Sequence, residues 1–124
     1  MSDLTADQYQ GLASGTAIYG DACGVVSGGS PGEGAVRLAY VALGLAGESG
    51  EVANKVKKII RDRDGVVCAE DVYSLAKELG DVSWYLAMVC SELGLSLGDV
   101  FAGNLRKLGA RERSGSLGGD GDDR

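Results

Sequence analysis

Two pairs of acids three residues apart, Glu48 and Glu51 in GESGEV and Glu78 and Asp81 in KELGDV, are the residues of this chain best suited to chemistry. Positions three apart share one flank of a helix. Carboxylates crowded together repel unless they are protonated or bridged by cations. Oxygen-only ligands select hard ions, so Mg²⁺ is the natural occupant, with Mn²⁺ able to substitute. Such an ion can neutralise a polyphosphate and lower the pKa of a coordinated water, while one carboxylate takes the water's proton. Glu48 and Glu51 are both candidates for that base. Asn104, Lys107 and Arg111, spaced i, i+3, i+7, line one stripe, which is either an ordinary solvated face or, beside a metal-carboxylate site, a set of donors suited to phosphate: the guanidinium as a fork, the ammonium as a point charge. Tyr85 stands four residues after Asp81, and Lys55 and Lys58 follow Glu51. Each suits substrate contact, or packing and i,i+4 pairing, equally well. The bland alternative is Glu51 paired with Lys55 at i,i+4 and the other three acids solvated on the surface.

The elements that would carry these residues are helices. Leu38, Val41, Leu45, Val52, Val56 and Ile59 recur at three and four residues, which predicts a helix from Ala35 to about Arg61. Val72, Leu75, Leu79, Val82, Leu86 and Val89 do the same from about Glu70 to Leu93. Asp64-Gly65 supplies the stop between them, and so short a connection implies an antiparallel hairpin. At roughly 100° per residue, Glu48 lies about 40° from the middle of its apolar stripe and Glu78 about 60° from its own, on flanks of the same hand. Depth matches too, since Glu51 is 14 residues before Gly65 and Glu78 is 13 after it. The four carboxylates should therefore converge at one level of the hairpin.

Around this hairpin, Thr5-x-x-Gln8 is a capping box opening a first helix over Leu4 to Tyr19, and Ser96-x-x-Asp99 opens a last one running to about Arg113. Residues 20–34 read as a glycine-rich connection, without the G-K-[ST] of a P-loop. No alternating strand pattern occurs, so the class is all-α, a helical hairpin core of four to five helices. Trp84 and Met88 add a second apolar face to the third helix, read as a subunit interface rather than a base pocket, so the bundle is expected to be completed by homo-oligomerisation. Gly44, Gly47 and Gly50 cost helix propensity, and either admit a neighbour closely or leave room for a ligand.

With 124 residues the chain has room for one domain, read as 1–113 followed by a Gly/Asp-rich tail at 114–124. The absence of His excludes Ser-His-Asp and Cys-His catalysis and His-ligated zinc, leaving hydrolysis to carboxylates. Cys23, Cys68 and Cys90 are odd in number with no C-x-x-C, consistent with reduced thiols. A net charge of -6 offers no footprint for nucleic acid or anionic membrane. No signal or membrane-spanning run occurs, so the expectation is an untargeted cytoplasmic protein.

The stretch GLAGESGEVANKVKK, then AKELGDVSWYLA and NLRKLGARERSG, resembles the MazG-like all-α nucleoside triphosphate pyrophosphohydrolases of the small single-domain type found in phages and bacteria. That family's signature is E-x-x-E followed after a spacer by E-x-x-D. The resemblance implies hydrolysis between the α- and β-phosphates to monophosphate and pyrophosphate, with Glu48, Glu51, Glu78 and Asp81 as catalytic acids holding Mg²⁺. It also implies that Asn104, Lys107 and Arg111 contact phosphates, that Tyr85 matches the aromatic that commonly follows the last acid, and that a homodimer or homotetramer completes the site. A phage enzyme acting on dGTP or GTP and a dUTP/dCTP housecleaning diphosphatase would use the same acids. A non-catalytic oligomerisation or nucleotide-sensing module is the reading from another class.

Overall fold

The computed structural model describes residues 3–22 and 32–118. Among these the chain is helical without strands: α1 (Ala6–Ser14), α2 (Tyr19–Ala22), α3 (Glu33–Arg63), α4 (Ala69–Glu92) and α5 (Leu97–Ser114). The all-α class is as the periodicity indicates. Most of the glycine-rich connection, Cys23 included, and the end of the tail lie outside the described residues.

The capping box is present: Thr5 Oγ1 accepts from the Gln8 amide at 3.2 Å, and the Thr5 amide donates to Gln8 Oε1 at 2.8 Å. The first helix does not reach Tyr19, however; it ends at Ser14. A continuing helix would give the Ala13 carbonyl to the amide of Ala17. Thr16 takes it instead, through its amide at 3.0 Å and its hydroxyl at 2.8 Å. A Thr side chain that competes for a backbone carbonyl in this way ends the ladder, and Tyr19 then opens the separate turn α2.

α3 and α4 make the main packing of the molecule. Cross-helix contacts run in opposite order along them: Arg37 with Glu92, Lys55 with Glu78, and Arg63 with Asp71. The hairpin is therefore antiparallel, as the short connection predicts. At its tip Asp64 and Gly65 adopt left-handed φ of 51° and 79°, and the Gly65 amide closes the end of α3 on the Ile59 carbonyl at 3.2 Å. Met88 corrects an expectation. It is 1% exposed and packs with Val41 and Ala87 in the core of the single chain, so it contributes no face to a partner.

Across the tip, Asp71 accepts from the Cys68 amide at 2.9 Å and is bonded by Arg63 Nη2. These donors, Arg63 first, hold its carboxyl down at about 2. A value depressed on folding means stability that is present above the unfolded value and lost as pH falls through about 2. Asp71→Asn should therefore lower Tm at neutral pH by a few degrees at most, since the Arg63 side chain is exposed and solvent screens the pair. Melts repeated down to pH 2 should show the difference closing.

α5 leaves α4 at an angle of 100° and packs against α1. Its start is held by α1 side chains: Asp7 Oδ1 accepts from Ser96 Oγ at 2.8 Å and from the Gly98 amide at 2.9 Å, and Gln10 Oε1 accepts from the Leu97 amide at 2.8 Å. Ser96 caps the helix on the Asp99 amide at 3.0 Å.

Candidate metal and nucleotide site

The hairpin brings Glu48 of α3 to Glu78 and Asp81 of α4, with one carboxylate oxygen of each within 4.8 Å of the others. Glu48 and Glu78 are half-buried and Asp81 is exposed. Glu51, one turn on, stays outside this trio on the exposed flank, although its charge reaches Glu48. Desolvation, then the negative fields of Asp81, Glu78 and Glu51, push the Glu48 carboxyl above its ordinary range. Three converging carboxylates are a donor set matched to a hard divalent cation.

Lys55 does not pair with Glu51 along its own helix. It crosses the hairpin instead, with Nζ 3.0 Å from Glu78 Oε1 and a second bond donated to Ser74 Oγ. Its ammonium is thus the cation at the edge of the acids. Lys58 stands farther toward the tip, in a cleft that it lines together with Lys55, Asp62 and Arg63.

On the other side of the trio lies a cleft of about 390 Å³ lined by Thr16, Glu48, Asp81, Trp84 and Tyr85. Trp84 Nε1 donates to Thr16 Oγ1 at 2.8 Å, and its ring meets that of Tyr85 edge to face, with centroids 5.0 Å apart. The Tyr85 ring lies over Gly44, so close that a Cβ there would overlap it. Of the three spaced glycines, Gly44 thus admits a neighbouring side chain, while Gly47 and Gly50 face open space. Burial and the charges of Tyr40, Glu48 and Asp81 raise the Tyr85 hydroxyl, which keeps it a neutral donor. Burial and Asp81 do the same for Tyr9 on α1.

Sequence reasoning missed Thr16, and it assigned Trp84 to an interface. The available signal was the adjacency of Trp84 to Tyr85, three and four residues after Asp81, which on a helix lays both along the acid flank. The stripe of Asn104, Lys107 and Arg111 sits on α5, which packs mainly on α1 and sets Leu97 into the core beside Ala87 and Met88 of α4. Asn104 and Lys107 are exposed and Arg111 is buried.

The model of the MazG nucleotide pyrophosphohydrolase domain matches residues 38–115 of this chain. The chain belongs to the MazG family. The matched span holds all four acids, the cleft residues Trp84 and Tyr85, and the α5 stripe. The chain is also similar to a phage protein, the Gene 37 protein of Mycobacterium phage L5, at 47% identity over 123 residues, 98% of this chain and 100% of that protein. No solved structure matches. Among the described residues no single helix is long and apolar enough to cross a membrane.

Proposed function

We propose that the protein is a Mg²⁺-dependent nucleoside triphosphate pyrophosphohydrolase of nucleotide-pool control, converting a (d)NTP and water to the monophosphate and pyrophosphate, with dGTP or GTP as the leading substrates. The observation that carries this reading is the carboxylate trio beside an aromatic-walled cleft. Glu48, Glu78 and Asp81 would hold Mg²⁺, or Mn²⁺ in its place. Bound there, the ion supplies charge neutralisation for the triphosphate and acidifies a water. Glu51, outside the trio but close enough to be felt by Glu48, is the carboxylate left to accept the proton of the attacking water. Water adds at the α-phosphorus as the bond to the bridging oxygen breaks, and pyrophosphate leaves. Lys55 offers a cation to the phosphates from the rim of the acids, and Trp84 and Tyr85 offer ring faces and edges to the base.

The leaving pyrophosphate is where negative charge develops, and Asn104, Lys107 and Arg111 are the donors suited to it. A homodimer or homotetramer in which one subunit's α5 serves another's acids is part of the proposal, as is action in the cytoplasm, the host's if the gene is a phage's. Exposed apolar residues on the hairpin, among them Leu43, Ile60, Val72 and Leu79, are available for such an assembly.

The test is incubation of the purified protein with Mg²⁺ and each common NTP and dNTP, resolving nucleotide and pyrophosphate, with EDTA as control. Monophosphate plus pyrophosphate from a purine substrate is the expected result. Release from dUTP or dCTP alone would reassign the base. Metal binding without turnover of any of them would mean a sensing or oligomerisation module.

A further inference from the structure

The aromatic wall of the cleft is backed by groups that the hydrolysis does not use. Tyr19, the first residue of α2, is 4% exposed. Its ring stacks on Tyr40 of α3, with centroids 5.4 Å apart and planes inclined by 17°, and it meets Trp84 of α4 edge to face at 6.3 Å. Trp84 in turn meets Tyr85. Four rings from three helices are thus in unbroken contact and end in the cleft.

The Tyr19 ring is fixed from behind. The Tyr19 hydroxyl donates to the Glu92 carboxylate. Arg37 grips the same carboxylate, Nε at 3.2 Å and 3.1 Å from its two oxygens and Nη2 at 3.0 Å from Oε1, while its guanidinium carbon lies 5.5 Å from the Tyr19 ring centroid. A Cβ on Gly20 would stand 3.2 Å from Arg37 Nη1, so the guanidinium lies close against α2. Burial works against the Glu92 anion, yet the bonds from Arg37 and Tyr19 hold its carboxyl below the ordinary range. Burial and Glu92 push Tyr19 up to about 12, so it remains a donor across physiological pH.

One half-buried carboxylate therefore ties three helices together at the end of the hairpin opposite its tip. A pair of this kind adds little stability over a well-packed apolar alternative, and what it supplies is a defined geometry. We propose that Arg37, Glu92 and Tyr19 are positioning residues for the nucleotide: they lock α2 onto α3 and α4 and so hold Trp84 and Tyr85 as the wall against which the base binds. This rests on reading the cleft as the nucleotide site.

Trp84 is the one tryptophan of the chain, so its emission reports on the wall directly. The experiment compares wild type, Glu92→Gln, Arg37→Met and Tyr19→Phe by Trp84 emission, by KM and kcat on the nucleotide the wild type hydrolyses best, and by Mn²⁺ affinity of the protein alone. Asp71→Asn, which breaks an ion pair at the other end of the hairpin, is the control for mere destabilisation. Expected are a shifted emission and a KM raised about tenfold in Glu92→Gln and Arg37→Met, within what stacking on one aromatic is worth. kcat and Mn²⁺ affinity should stay within about twofold. Asp71→Asn should lower Tm and move neither emission nor KM. Should Glu92→Gln or Arg37→Met fail to fold, Tyr19→Phe, which keeps every ring contact and loses only the hydroxyl, carries the test with a smaller rise in KM. Wild-type KM in all folded variants, or KM and Mn²⁺ affinity moving together, overturns the positioning role and leaves the hydrolase reading standing. A wild type that turns over no nucleotide and shows no quenching of Trp84 by any of them overturns both.

Discussion

Asp81→Asn or Glu48→Gln should abolish pyrophosphate release, at least about a hundredfold in kcat, while leaving helix content unchanged. Both side chains belong to the trio, and amides of the same shape cannot hold a hard cation as carboxylates do. The metal effect on stability should vanish with them. Mg²⁺ at a hundred times its Kd should stabilise the wild type by about 2.7 kcal/mol, and the variants by almost nothing. In EDTA the order should reverse, since removing one of three crowded charges relieves repulsion. The pH dependence follows the same sign. The Glu48 carboxyl, raised on folding, is a burden above its folded value that lifts as pH falls into that range. Chelated wild type should therefore gain stability on mild acidification, and Glu48→Gln should not. Glu51→Gln separates the roles within the quartet: it should lose turnover yet keep most of the stabilisation by Mg²⁺. Turnover that survives in Asp81→Asn would remove the trio from the mechanism, and collapse of helix content would make the acids structural.

How far the site could be read from sequence depends on the kind of interaction that fixes each residue. The level at which Glu48 meets Asp81 follows from period and from the hairpin tip, because an antiparallel pair with its turn fixed at Asp64-Gly65 has no freedom of register. The end of α1 follows from a hydroxyl competing for one carbonyl, a balance that hydrophobic spacing does not register. The direction of α5 follows from Asp7 and Gln10, some ninety residues away in the chain, bonding its first turn. Nothing local to residues 94–114 encodes those partners. Met88 misled because a helix apolar on two faces can bury the second against α1 of its own chain as well as against a partner. Glu51 stands apart from the trio because one further turn toward the tip carries it to the exposed flank, where Lys55 has already crossed to Glu78.

Gly44→Ala should destabilise the protein although alanine is the better helix former, and Gly47→Ala, three residues on, should stabilise it. In an exposed helix interior the exchange is worth up to roughly 1 kcal/mol in favour of alanine. Gly47 has nothing within 4 Å of the added methyl, so that gain should appear undiminished. At Gly44 the methyl would overlap the Tyr85 ring, which is not a flexible chain end but a plane wedged against Trp84. Relief requires either the backbone of the 31-residue α3 or the ring to move, and overpacking of this sort costs about 1 to 3 kcal/mol. The cost exceeds the propensity gain, and the ring's route of escape is into the cleft, so KM for the nucleotide should rise with the loss of stability. Tyr85→Ala supplies the decisive background. With the ring gone the two sites no longer collide, and Gly44→Ala in that background should become stabilising like Gly47→Ala, a reversal of sign that a thermal-melt double-mutant cycle reads directly. Destabilisation by Gly44→Ala in both backgrounds would mean that the glycine is needed for something other than the approach of Tyr85.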